Sequence, residues 1–219
     1  MLHSLEDVAG VCVIATDGEI GKVSNFLFDD QTWKLRYFVI DVGTWLTRKA
    51  VLISVSAVDR PDWAGKTFHA HLTKEQVRHS PDVDSTKPVS RQEEIAMNKY
   101  FGWPAYWYGE LPAVSVPPGR DYLAHAGENP HLRSADQVAG YTVWSEDDEV
   151  GRLEHFIVDE DSWHIGYLDV KTGDWLHRRS VLVPTSWVQS VSWADRRVEL
   201  DHSQARLDAP ATAYRGRKL

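Results

Sequence analysis

Residues 18–43 read "GEIGKVSNFLFDDQTWKLRYFVIDVG", and residues 148–173 read "DEVGRLEHFIVDEDSWHIGYLDVKTG". Each stretch sets two alternating apolar and polar runs about an acidic turn, the pattern of paired β-strands. At an offset of 130 residues the agreement runs without a gap from Val8/Val138 to Ala64/Ala194, and 21 of those 57 positions are identical. Ordinary amino-acid usage gives roughly three or four by chance. The identities include Gly21/Gly151, Phe26/Phe156, Asp29/Asp159, Trp33/Trp163, Tyr37/Tyr167, Trp45/Trp175, Arg48/Arg178 and Leu52/Leu182. This is internal duplication. Two copies spaced this far apart cannot make a solenoid, so each copy is expected to be a small domain.

The first copy reads as short strands over 11–16, 20–30, 34–42 and 50–54, a further one near Ser56–Val58, and a last one over 66–72. Within 34–42, Leu35, Tyr37, Val39 and Asp41 share one face, while Phe38, Ile40 and Val42 share the other. Six short antiparallel strands in about 70 residues leave exposed edges unless the sheet curls on itself, so a small barrel is the expected closure. A core this small is marginal. The ten tryptophans of the chain supply large apolar areas to offset that.

The stretches "GKVSNFLFDDQTWKLRYFVIDVGTWLTRKAVLIS" and "GRLEHFIVDEDSWHIGYLDVKTGDWLHRRSVLVP" both resemble the PRC-barrel domain. That family is named for the cytoplasmic domain of the photosynthetic reaction centre H subunit, and a related domain occurs in a ribosome maturation factor. The resemblance rests on Gly21-Lys22-Val23 and Gly151-Arg152-Leu153, each followed by an acidic turn, an extended strand, a glycine and a "VLIP"-like strand. It implies a mainly β fold: two tandem six-stranded antiparallel barrels joined by a segment with one or two short helices. It also implies binding and assembly roles rather than a shared catalytic site. No membrane anchor and no RNA-related domain precede the first copy, which argues against a reaction-centre subunit and against ribosome maturation. The expected organisation is a first domain over 1–80, a connecting segment over 81–130, a second domain over 131–210 and a basic tail over 211–219.

The connecting segment carries its own signals. Thr73 with Gln76, and Ser90 with Glu93, form two capping boxes, and Gly102 and Pro104 end the second helix. Directly after it, Trp103, Tyr106, Trp107 and Tyr108 fall within six residues. Two readings stand: the rings plug a barrel end or cement the copies, or they anchor another protein, as Trp and Tyr do at interface hot spots. The loops "GTWLTRK" and "GDWLHRR" place Trp45 and Arg48, and Trp175 and Arg178, at equivalent positions. Their tryptophans either pack into the barrel mouth or form a paired recognition surface rimmed by the arginines.

Composition narrows the chemistry. The formal net charge is −8, and no segment has the basic excess that phosphate contacts require. The single Cys12 allows no intramolecular disulfide and lies in an apolar run, which reads as a buried strand thiol. No stretch reaches the ~20 apolar residues of a membrane span. Phosphate loops, nucleophile elbows and HExxH or CxxC motifs are missing. His69 and His71 share a strand face, but the second copy has Glu199 and Asp201 there, so they read as surface histidines. The acidic turns 145–150 and 158–163 lack the ligand spacing of a calcium loop.

The expectation is a non-catalytic, cytoplasmic protein-binding or assembly module without cofactor or metal. Fusing two copies mimics a symmetric dimer while letting each face diverge. Its partner is expected to be a protein, with no nucleic acid and no membrane insertion, and homo-oligomerisation is left open. A ribosome-associated or RNA-processing factor, and a metal protein or enzyme, are the alternatives.

Overall fold

The structure, a computed structural model, describes residues 1–42, 49–81, 83, 88–108, 131–146, 148–173 and 179–201. The fold is mainly β. The first copy contributes β1 (Leu2–Ser4), β2 (Cys12–Ala15), β3 (Gly18–Asp29), β4 (Lys34–Val42), β5 (Lys49–Ser54) and β6 (Thr67–His69), with a short helix α1 (Leu5–Val8). Helices α2 (Lys74–Arg78) and α3 (Arg91–Phe101) follow. The second copy contributes β7 (Leu132–Ser134), α4 (Ala135–Val138), β8 (Thr142–Ser145), β9 (Asp148–Asp159), β10 (Ile165–Thr172), β11 (Arg179–Pro184), β12 (Val188–Ser192) and β13 (Arg197–Leu200).

These strands form two sheets, ordered β5-β4-β3-β2-β6 and β11-β10-β9-β8-β13-β12. Three sequence expectations need correction. The sheets are mixed, because β6 runs parallel to β2 and β13 parallel to β8. A parallel partner needs a long connection rather than a hairpin, and each of these pairs is separated by most of its copy. Among the described residues no ladder joins β5 to β6 or β11 to β12, so the expected closure of each barrel is not seen in them. The strand expected near Ser56–Val58 is a 3-10 turn over Val55–Ala57, in which Ser54 Oγ accepts from the Ser56 N–H at 3.3 Å. Only Val58 makes a bridge, to Ala70.

Alternation explains the interior. In β4, Phe38 and Ile40 point inward, and Phe38 stacks on Phe68 of β6 with centroids 5.1 Å apart. A Cβ on Gly21 would run into the Asp41 carbonyl, and one on Gly151 into the Lys171 carbonyl. The glycine of each "G-basic-hydrophobic" run is therefore there to let β3 and β9 cross close to the neighbouring backbone.

The β3–β4 and β9–β10 hairpins are built alike. Asp29 Oδ1 accepts from the Gln31 and Thr32 N–H groups, and Asp159 Oδ1 accepts from those of Asp161 and Ser162. Each turn ends on a buried tryptophan in the left-handed region, Trp33 (φ 54°) and Trp163 (φ 53°). A non-glycine residue there costs about 1–3 kcal/mol. The strain is offset where the hairpins meet: Leu35 N–H donates to Trp163 O and Ile165 N–H to Trp33 O, each at 2.8 Å. Lys34 and His164 form a bridge between these bonds.

Further contacts obey the same reciprocity. Strand β1 pairs with β9, and its 130-residue equivalent β7 pairs with β3. His3 contacts Glu160 at 2.9 Å, and Arg133 pairs with Asp30 at the equivalent place. His155 contacts Glu6 at 3.3 Å, and Asn25 Oδ1 accepts from the Asp136 N–H, also at 3.3 Å. These contacts come in pairs related by the 130-residue offset, the reciprocity that an isologous contact also has.

The compact units do not follow the copies. One consists of Met1–Gly10, Asn25–Arg36 and Arg133–Leu219, the other of Val11–Ser24 and Tyr37–Leu132. The exchanged arm β1 and the hairpin around Trp33 are thereby grouped with the second copy, and the reciprocal side-chain contacts and the Lys34–His164 bridge lie inside that unit.

Candidate functional site

Helix α3 starts on a complete capping box, in which Ser90 Oγ accepts from Glu93 N–H and Glu93 Oε2 accepts from Ser90 N–H at 2.7 Å. It ends on Gly102 at φ +73°, whose N–H donates to Asn98 O. Between these caps the helical period puts Arg91, Glu94, Ile95 and Asn98 on one buried face. The α2 helix also begins on its expected capping box, and Tyr100 OH donates to Gln76 O at 2.9 Å, tying the two helices together.

On that face lies a buried ionic cluster. Glu94 is fully buried and Arg91 is 5% exposed. Arg91 Nη1 donates to Glu94 Oε2 at 2.7 Å. Glu94 Oε1 accepts from Tyr37 OH at 3.1 Å and from Tyr106 OH at 2.8 Å. Arg91 Nη1 also reaches Tyr106 OH at 3.3 Å, so that hydroxyl both donates and accepts. The guanidinium lies 4.2 Å from the Trp107 ring centroid and 5.4 Å from that of Tyr106. Trp103 stacks on Phe101 at 4.3 Å and meets Tyr37 at 6.5 Å.

The electrostatics follow from burial. Desolvation first, and then the Glu94 charge, push both the Tyr37 and Tyr106 phenols well above the ordinary tyrosine value. Both stay neutral donors to the Glu94 carboxylate, which Arg91 also engages. A carboxylate so fully engaged is a poor general base. Arg91 Nε and Asn98 Nδ2 have no hydrogen-bond partner among the described residues, so the cluster carries a desolvation cost. What it achieves is position: it clamps the aromatic segment 101–107 onto the outer face of β4.

Trp103, Tyr106 and Trp107, singled out from the sequence, are thus brought together, each half-buried. Tyr108 closes the same 3-10 turn. Trp45, Arg48, Trp175 and Arg178 lie outside the described residues, as do 109–130 and the tail beyond Asp201. Sequence reasoning missed Tyr37, Arg91 and Glu94 as a group. By its position Glu94 is an ordinary first-turn acid, which the helix dipole favours. The available signal was the i,i+3 spacing of Arg91 and Glu94 beside the buried positions Ile95 and Met97. His71 pairs with Asp59 at 2.7 Å on the surface. Among the described residues, no three His, Cys, Asp or Glu side chains converge as a metal site would require, and no helix is long and apolar enough to cross a membrane.

Comparison with known proteins agrees with the duplication. The model of the PRC-barrel domain matches residues 2–76 and 130–207. An uncharacterized protein of Deinococcus radiodurans is 37% identical over 90 residues, covering 41% of this chain and 32% of that relative.

Proposed function

Because the chain belongs to the PRC-barrel family, carrying two copies of its domain, we propose that it is a non-catalytic protein-binding or assembly module. The observation that supports this reading is the aromatic clamp. Phe101, Trp103, Tyr106 and Trp107 are held half-buried on a buried ionic base, so their rings are ordered before any partner arrives. Preorganised aromatic side chains lose little entropy on binding and dominate interface energetics. A net charge of −8 opposes approach to RNA over long range, which favours a protein partner over nucleic acid.

The test is capture of whatever co-purifies with the full-length protein from its native host. Trp103→Ser removes an aromatic face while leaving Arg91, Glu94 and Tyr106 in place. It should reduce capture several-fold with thermal melting retained. Undiminished capture by this variant and by the Trp45→Ser/Trp175→Ser double variant would remove the aromatic surfaces from the account. Specific, salt-resistant RNA retention would replace the reading altogether.

A further inference from the structure

The clamp covers one copy only. In the first copy, Tyr37 lies opposite Ser54 and Val39 opposite Leu52 on the outer face of β4 and β5. Tyr37, Val39 and Leu52 are each no more than 2% exposed. In the second copy the same register sets Tyr167 opposite Pro184, Asp169 opposite Leu182 and Lys171 opposite Ser180. Here Tyr167, Asp169 and Leu182 are only half-buried. The inner-face residues Leu168, Val170 and Val183 are fully buried as before, and Val181, opposite Val170, is the one inner position here that is half-buried where its equivalent Val51 is sealed. The Tyr167 hydroxyl, unlike that of Tyr37, has no hydrogen-bond partner among the described residues.

Two features say what fits this face. On its sister face an amphipathic helix brings an acceptor to the tyrosine hydroxyl, and the leucine there is sealed. The second copy keeps that tyrosine and that leucine. It places Asp169 where the first copy has Val39, and only Ser180 Oγ donates to this carboxylate among the described residues. The surface continues into an open recess of about 600 Å³, lined by Glu149, Arg152, Glu154, His155 and Lys171. Lys171 is paired with Glu154 at 3.2 Å, and Glu6 reaches His155 at 3.3 Å. Within the recess Glu149 and Glu154 match Arg152 and Lys171 in number, and Asp169 makes no ion pair among the described residues, so it is the carboxylate left to meet a cation.

Building on the binding-module reading, we propose that this face receives an amphipathic helix of another protein, whose apolar stripe covers Tyr167 and Leu182 and whose basic side chain pairs with Asp169. A charge-assisted contact at a partly desolvated site is where such specificity is set.

The probes are fluorescein-labelled peptides of residues 88–103 and three single-lysine versions, Ile95→Lys, Met97→Lys and Asn98→Lys, titrated into the full-length protein. At least one lysine peptide should bind about tenfold more tightly than the parent, the size of one good charged contact. It should also shift the amide resonances of Tyr167, Asp169 and Leu182. Asp169→Val, which installs the residue the first copy uses at this register, should reverse the order of the peptides, and Asp169→Asn should abolish the lysine advantage without a change of shape. Binding that leaves those resonances unmoved, or an unchanged order in both variants, overturns the proposal. So does a dimer in sedimentation that Leu182→Lys dissociates, since the occupant would then be a second copy of this chain. If the peptides fail while capture of the native partner still depends on Trp103, the helix site falls and the binding-module reading stands.

Discussion

Tyr37 and Tyr167 occupy the same position in two copies of one domain, yet one is sealed in the interior and the other half-exposed. The strands beneath them pair in the same register, and the inner faces differ only at Val181, half-buried where Val51 is sealed, among Phe38/Leu168, Ile40/Val170, Val51/Val181 and Ile53/Val183. What differs is the layer above. In the first copy the chain leaves β6, forms α2 and α3, and lays Glu94 and Trp103 against Tyr37. Val39 and Leu52 on the same face are apolar and sealed. In the second copy Asp169 replaces the valine, a change that burial under an apolar layer would penalise by several kcal/mol for an unpaired charge. Duplication thus kept the sheet and freed one outer surface to diverge.

The sharpest way to break this contrast is at Glu94. Glu94→Ala leaves Arg91 buried without its countercharge and should cost about 3–5 kcal/mol in urea unfolding, whereas Arg91→Met with Glu94→Leu should recover much of that loss. A loss below about 1 kcal/mol for the single variant would mean that the cluster is not the seal described above.

The paired leucines come next. Leu52→Ala empties a covered site and should cost about 2–5 kcal/mol. Leu182→Ala, at the matching position, should cost less than half as much. Equal losses in calorimetry would show the two outer faces to be equally packed in solution.

Alkali separates the faces in another way. The folded-state values of Tyr37 and Tyr106 are raised, so the unfolded chain loses these protons first. The stability they contribute is complete below pH ~10 and declines above it, by up to about 1.4 kcal/mol per pH unit for each phenol. Tyr37→Phe with Tyr106→Phe should lower stability at neutral pH but flatten this alkaline limb. An unflattened limb in pH-dependent unfolding would place the titrating groups elsewhere.

The smallest expected effect on stability belongs to the loop pair. Trp45→Ser with Trp175→Ser should change the unfolding free energy by less than about 1 kcal/mol, within the range of exposed substitutions, while reducing partner capture. Unfolding of the double variant would assign both rings to the core.

Much of the architecture is written locally. The strands expected over 20–30 and 34–42, both capping boxes and the Gly102 stop are visible because alternation, cap chemistry and positive φ act over a few residues. The 130-residue repeat predicts two equivalent domains. Glu93 is legible as the partner of Ser90, but nothing local says that Glu94 turns inward to meet a tyrosine 57 positions away.

The sequence by itself determined the strand pattern, the duplication and the turns, since each depends on periods of two or four residues or on the backbone freedom of a single residue. The tertiary structure alone decided that β1 and β7 are exchanged, that β6 and β13 run parallel to their partners, and that a buried Arg–Glu pair holds the aromatic segment on one copy. The physical reason is range. Hydrogen bonds such as Ile165 N–H to Trp33 O, or Tyr37 OH to Glu94, join groups whose pairing depends on which surfaces remain unsatisfied after the local elements form, and that is settled only when the whole chain packs.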